Sequence, residues 1–379
     1  MPDRSALDER IVAAVAARRP QIEATIEYVH GHPELAHEEH LCAAHLAELL
    51  AAEGFRVELG VAGMDTAFTA RLAGARPGAR VGLAALYDAV PAVTAEGGVR
   101  AVHSCGHGPI AAAVTGAALA LAGLDGGFAG EVMVVGCPAD EIHAPQTVER
   151  GGGKFLSAEA GLWDEVDAAL YAHPEFKDTV WLRSRWMRRQ FFSLFGTRSL
   201  RDDVDQPPIE AIGRLLDACG KISRNDLMVE RVVLDGDVEE DTGLALTGSL
   251  LFFGDTEAAP ADNFANLAAA LPELAWTAGP LVAGVRPDDR VAAAVADAFA
   301  AAGRGFEPDP GLLPFATDFG NITQRVPAAL IGIGRPEGWS FHTEEGADQF
   351  ASADGVEAAM QIATVLALAT ARLTDPATG

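Results

Sequence analysis

The chain is poor in lysine and in positive charge generally. Its 379 residues include three lysines and 25 arginines against 54 acidic residues, for a formal net charge of −26. A surface that grips phosphates needs clustered Lys and Arg, so this balance argues against nucleic acid and against anionic lipid as partners. It reads first as a solubility device. Long apolar runs are also missing: nothing approaches the ~18 uninterrupted apolar residues of a membrane span. The stretch from Met1 to Pro20 carries Asp3, Asp8 and Glu9 and no apolar signal-like core, so a cytoplasmic location is expected. The four cysteines (Cys42, Cys105, Cys137, Cys219) are too scattered for a disulfide framework and suit reduced thiols. Cys42 and Cys219 sit in helical patterns and read as core thiols.

What is present is ordinary for a globular protein: 49% hydrophobic and 22% charged residues. The length predicts one large or two moderate domains. Helical periodicity runs over 6–29 and 38–53. Continuous apolar runs at 80–86 (RVGLAAL), 131–137 (EVMVVGC) and 168–172 predict strands buried on both faces. With an Ala-rich helix over 110–124 between them, the pattern is α/β: a mostly parallel sheet between helices. Past Lys177 the texture changes. Residues 180–195 alternate and carry Arg183, Arg185, Arg188 and Arg189; a helix over 208–223, strands at 230–234 and 244–253, and a helix starting near 263 follow. After Gly279-Pro280 the first texture returns, with a helix over 288–302, a strand at 328–333 and a closing helix over 353–373. The reading is a discontinuous α/β domain, 1–176 and 286–379, interrupted by an inserted α+β domain at 177–285.

Four strand-end loops offer chemistry, and ligands gather at such ends in parallel sheets. The first holds His103-Ser104-Cys105-Gly106-His107, where a thiolate and an imidazole two residues apart suit a first-row divalent metal. Alone, Cys-x-His fits a buried thiol beside a satisfied histidine equally well. The second holds Asp140-Glu141, which alone fits a solvated loop end. The third is His173 and the fourth His342. Convergence of all four at one sheet edge is hard to assign to chance.

The runs Tyr87-Asp88-Ala89-Val90-Pro91 and His103-Ser104-Cys105-Gly106-His107 resemble motifs of the M20 metallopeptidase family, nearest its aminoacylase and aminobenzoyl-glutamate hydrolase branch. Pro138-Ala139-Asp140-Glu141, Gly151-Gly152-Gly153-Lys154, Ala172-His173-Pro174, Thr317-Asp318-Phe319-Gly320-Asn321 and His342-Thr343 extend the likeness in order along the chain. The resemblance implies metal ligands at Cys105, His107, Glu141, His173 and His342. Five ligands exceed one tetrahedral zinc and suit two divalent ions, among Zn, Mn, Co or Ni. It implies Asp140 as general base and acid, Asp88 behind the ligands steadying one of them, and Asn321 as a substrate-binding candidate. Arg198 reads either as a cation standing in for the family's lid histidine in binding substrate or as a solvated loop residue. It further implies hydrolysis of an amide in a small N-acyl amino acid, dipeptide or related molecule, and a lid domain that makes a homodimer. Alternative readings are a non-catalytic relative that binds metal and a small ligand, a mononuclear zinc enzyme, and a hydrolase of a non-peptide bond.

Three positions depart from the family pattern. Asp140 stands where the family has glutamate, one methylene or roughly 1.5 Å shorter in reach. Gly108 replaces an acidic or amide residue. The lid histidine is missing, since no histidine occurs between Pro174 and Phe341. Gly151-Gly152-Gly153-Lys154 is not a phosphate loop, lacking both the leading glycine and a Ser or Thr after the lysine. His143 reads as a surface residue or one behind the ligands, and the 183–189 arginines as a solvated strand face or a receptor for a substrate carboxylate.

Overall fold

Four apolar runs form the centre of a seven-stranded sheet. They are Arg76–Ala85, Ala129–Gly136, Ala168–Glu175 and Ala328–Gly334. Across the sheet their order is the second, the first, the third and the fourth, each parallel to its neighbour. Antiparallel strands flank them: Phe68–Ala73 and Arg56–Leu59 on one side, Thr179–Trp181 on the other. Parallel strands covered on both faces need apolar side chains at every position, and Val81, Leu83, Ala84 and Ala85 of the first central strand are all fully buried. The computed structural model describes residues 4–93, 98–124, 127–197, 207–236 and 243–375.

The helix His107–Ala122 is buried from His107 through Leu121, and the last helix, Ala353–Thr374, packs along it. By length and composition Ala353–Thr374 is apolar enough to cross a membrane, but most of it is buried inside the fold. The helical pattern at 6–29 is two helices, Arg4–Ala17 and Arg19–Gly31. Pro20 lies in the first turn of the second, where its missing N–H costs nothing; farther inside a continuous helix it would break the hydrogen-bond ladder.

The chain divides into two compact units. One comprises Met1–Arg183, Val285–Leu312 and Asp318–Gly379; the other comprises Ser184–Gly284 with Leu313–Thr317. The alternating stretch 180–195 is divided between two strands: Thr179–Trp181 pairs with the fourth central strand, while Trp186–Thr197 belongs to the second unit. In that unit four antiparallel strands run in the order Leu227–Asp235, Gly243–Gly254, Trp186–Thr197, Ala275–Val282. Its core joins Phe192, Leu246, Leu250 and Phe252 of the sheet to Leu215 and Leu267 of its two helices. Gly279-Pro280 does not end the unit. It lies at a register shift in the edge strand Ala275–Val282, a position that tolerates a proline without an N–H.

Two of the arginines expected on a solvated face are internal braces of this unit. Arg189 grips Glu230 through Nε at 2.7 Å and Nη2 at 2.8 Å, and Ser249 donates to the same carboxylate at 2.7 Å. Arg185 pairs with Asp226 at 2.8 Å and donates to the Asn225 carbonyl at 2.7 Å. Their charges are consumed within the unit, so for these two residues neither a solvated face nor a carboxylate receptor holds.

Packing at Gly153 is tight. A Cβ there would fall 2.0 Å from the Pro138 carbonyl oxygen, so the helix Gly153–Glu159 presses on the loop after the second central strand. Gly153→Ala is expected to lower stability by roughly 1–3 kcal/mol. The expected signature is a lower urea midpoint at unchanged slope, and an unaltered midpoint would contradict the close approach.

Candidate metal centre

The sheet brings loops from three of its parallel strands to one edge. The turn after the first central strand supplies Asp88, and a short hairpin of Val90–Val93 with Val99–Val102 then leads to Cys105. Gly106, with φ of 95°, turns the chain into the helix that opens at His107. The loop after the second strand supplies Asp140 and Glu141, preceded by Ala139 at φ 58°. His173 is not beyond the third strand, as the sequence suggested, but within it, because that strand runs on to Glu175. His342, also at φ 58°, comes from the loop after the fourth strand, and its N–H donates to the Ser104 carbonyl at 2.8 Å. Two non-glycine residues with positive φ therefore sit at or beside the site, where sparsely populated backbone conformations tend to collect.

Cys105 is at the centre of the donor atoms. Its Sγ lies 3.2 Å from His342 Nε2 and 3.9 Å from His173 Nε2. Glu141 Oε1 lies 3.8 Å from His342 Nε2 and 3.9 Å from His107 Nε2. Among the described residues two groups can hold a cation, Cys105 with His107 and His173, and Cys105 with Glu141 and His342. They share the cysteine, and within each group the donor atoms lie within 4.8 Å of one another. His107 Nε2 and Glu141 Oε1 are buried and find no hydrogen-bond partner among the described residues, which is costly unless a ligand satisfies them. Soft sulfur, imidazole and carboxylate together suit a first-row divalent ion, so the residues present fit a pair of such ions.

The histidine tautomers follow from their surroundings. His107 Nδ1 donates to the Asp88 carbonyl at 2.8 Å and lies 2.9 Å from its carboxylate. His173 Nδ1 donates to the Pro174 carbonyl at 2.7 Å. With Nδ1 occupied, each ring turns Nε2 to the cluster. Burial alone would lower the pKa of His107, but the Asp88 charge more than offsets this and holds it well above the ordinary imidazole value. His107 must therefore shed its Nε2 proton before it can ligate. Burial alone would raise the pKa of Asp88. The charge of His107, with hydrogen bonds from His107 and the Glu141 N–H at 2.9 Å, more than offsets this and holds it below the ordinary carboxylate value. Burial pushes the Cys105 thiol up to about 12, helped by the Glu141 charge, and takes His173 down to about 3, helped by His107. Glu141 is likewise raised by burial.

Asp140 lies beside these donors, its Oδ2 3.3 Å from His107 Nε2. The shorter side chain thus reaches the cluster. Its Oδ1 is bound by Lys154, whose ammonium also lies 3.0 Å from Asp318 Oδ1. Sequence reasoning misses this contact, although the lysine stands in one of the motifs that carry the resemblance. It also misses Glu39, a buried carboxylate that accepts the Ala139 N–H and the Thr66 hydroxyl, each at 2.8 Å. Glu39 ties down the loop that carries Asp140, and burial, with the charge of Asp88 adding to it, pushes its pKa up to about 8. Glycine at 108 is not sterically required, since a Cβ there would meet only Val29, at 3.8 Å. His143 is exposed and belongs to neither donor group. Asn321 lies on the short helix Phe319–Thr323, its N–H donating to the Asp318 carbonyl at 3.0 Å. Arg198 lies outside the described residues.

The model of peptidase family M20/M25/M40 matches residues 82–369, a span that contains every donor named above. The chain belongs to that family. Within it, one of the p-aminobenzoyl-glutamate hydrolase chains of Escherichia coli (strain K12) is 30% identical over 198 residues, covering 49% of this chain and 36% of that protein. The Xaa-Arg dipeptidase of Mus musculus is 33% identical over 162 residues, covering 40% of this chain and 34% of that protein. The chain therefore spans little more than a third of the length of these curated relatives. Among solved structures, a dinuclear metal binding peptidase of the M20 family from Bacillus subtilis superposes with a TM-score of 0.61 at 19% identity, covering 93% of this chain and 98% of that one. An aminobenzoyl-glutamate utilization protein from Klebsiella pneumoniae gives 0.65 at 13% identity, covering 94% and 98%. At these identities the likeness shows that the M20 fold is shared.

Asp88 supports both His107 and Glu141, so Asp88→Asn is expected to weaken zinc affinity by about 10–100-fold. Competition with a chelating dye measures this, and an affinity equal to the parent's would show that Asp88 does not orient the donors.

Proposed function

We propose that the chain is a metal-dependent amidohydrolase that cleaves a small N-acyl amino acid, dipeptide or related amide. The observation that carries this reading is the convergence of four donors on Cys105, with one oxygen of the Asp140 carboxylate at their edge. Cys105, His107, Glu141, His173 and His342 would hold two divalent ions, of Zn, Mn, Co or Ni. Bound there, such a pair acidifies a water molecule and polarises the scissile carbonyl.

The remaining roles fall to the protein's own groups. Asp140 Oδ2 takes a proton from the attacking water, then delivers it to the amine nitrogen as the C–N bond breaks. Asp88 keeps the His107 ring in the tautomer that presents Nε2. The second unit, with its own sheet and core, is the lid and dimerisation domain in this reading, and Asn321 and Arg198 are candidates for substrate contact. Cys42, Cys105, Cys137 and Cys219 are all unpaired, in keeping with a reducing compartment such as the cytoplasm.

The test is a screen of N-acyl amino acids and dipeptides with metal-reconstituted protein. Hydrolysis should vanish on chelation and return with added metal, and Asp140→Ala should lower kcat by about 10²–10⁴-fold. Less than one metal per chain after reconstitution, or full turnover by Asp140→Ala, would sink the reading. A protein that binds two metals yet hydrolyses nothing would instead support the ligand-binding alternative.

A further inference from the structure

Lys154 is a fully buried ammonium in a chain that uses lysine three times. Its side chain has no exposed surface, whereas Lys177 and Lys221 are 42% and 73% exposed. Burying an ammonium is unfavourable unless carboxylates replace the lost water. Two do so here, Asp140 through Oδ1 and Asp318 through Oδ1 at 3.0 Å, and the ammonium also lies 5.0 Å over the Tyr171 ring.

The far side of this bridge is held by backbone. Asp318 Oδ2 accepts the Phe155 N–H at 3.0 Å. The same oxygen packs so closely on Gly152 that a Cβ there would lie 2.3 Å away. The helix that carries Lys154 is in turn pressed against Pro138, two residues before Asp140. The ammonium is therefore fixed in place independently of Asp140. The two oxygens of Asp140 then have different fates: Oδ1 is taken by Lys154, and Oδ2 is left 3.3 Å from His107 Nε2, facing the donors.

We propose that Lys154, braced by Asp318, is a positioning residue that pins Oδ1 of Asp140 and so aims Oδ2 at the metal-ligand cluster. The consequence for turnover rests on the reading of Asp140 as proton carrier given above. An unrestrained aspartate samples several staggered rotamers. Misplacing a reacting group by about 1 Å can cost ~10²-fold in rate. A charge-assisted hydrogen bond to one oxygen removes that freedom. It also explains how a residue one methylene shorter than glutamate is held where it is needed.

With only three lysines, selective 15N and 13C labelling of lysine side chains resolves the contact directly in the full-length, metal-loaded protein. The Lys154 signal is assigned by its loss in Lys154→Met. It is expected to shift in both Asp140→Asn and Asp318→Asn while those of Lys177 and Lys221 stay in place. A Lys154 signal that ignores Asp140→Asn overturns the proposal.

The second measurement uses Lys154→Met combined with Asp318→Asn, which removes two opposite charges together and avoids stranding one of them. Metal per chain and KM should match the parent while kcat falls by about 10–100-fold. An unchanged kcat, or metal lost in step with activity, would contradict a positioning role. If the parent hydrolyses no amide, the proposed function fails by itself, while the labelled lysine still decides whether Lys154 holds Asp140.

Discussion

Asp88 is a buried carboxylate on which two separate pieces of the site lean. Its carbonyl and carboxylate face His107 Nδ1 at 2.8 and 2.9 Å, and its Oδ2 accepts the Glu141 N–H at 2.9 Å. One residue thus joins the end of the first central strand to the helix beginning at His107 and to the loop after the second strand. Burial disfavours its charge, but the charge of His107 and the hydrogen bonds outweigh that penalty. The orientation of the His107 ring, the approach of Glu141 and the place of Cys105 two residues earlier all depend on that balance.

The same burial shapes the donors. It favours the uncharged forms of Cys105 and His173, taking the first up to about 12 and the second down to about 3. A neutral imidazole is ready to ligate, whereas a thiol must lose its proton to do so. In the proposed two-cation reading, cation binding would couple to proton release at Cys105, the one donor common to both groups. It would do the same at His107, whose pKa, against the pull of burial, the Asp88 charge raises. In a chain with a formal net charge of −26, Lys154 is the positive group set behind this edge, balanced between Asp140 and Asp318.

The architecture was legible where burial writes a plain pattern. RVGLAAL and EVMVVGC are apolar at nearly every position because both faces of the sheet are covered, and both are central strands. The donors were legible because thiol, imidazole and carboxylate side chains at strand ends are sparse enough to stand out. Other features were not, for physical reasons. The break between Thr179–Trp181 and Trp186–Thr197 changes sheet without changing texture, so alternation alone could not reveal it. Arg185 and Arg189 looked like surface charge because their partners, Asp226 and Glu230, lie about 40 residues away in the sequence. Lys154 was visible as a residue, but its link to Asp318 spans still more of the chain, and only the fold closes it. The edge strand Ala275–Val282 was obscured by Gly279-Pro280, which marks a bulge inside the strand and not its end.

The central claim is that five side chains form one centre with two cation positions sharing the Cys105 sulfur. X-ray absorption on the zinc-reconstituted protein tests it most directly. The account predicts two zinc ions per chain, an average of one sulfur per zinc at about 2.3 Å, and a zinc–zinc separation of roughly 3.5–4 Å. A single zinc per chain, or an average of half a sulfur per zinc with no zinc neighbour, would contradict it.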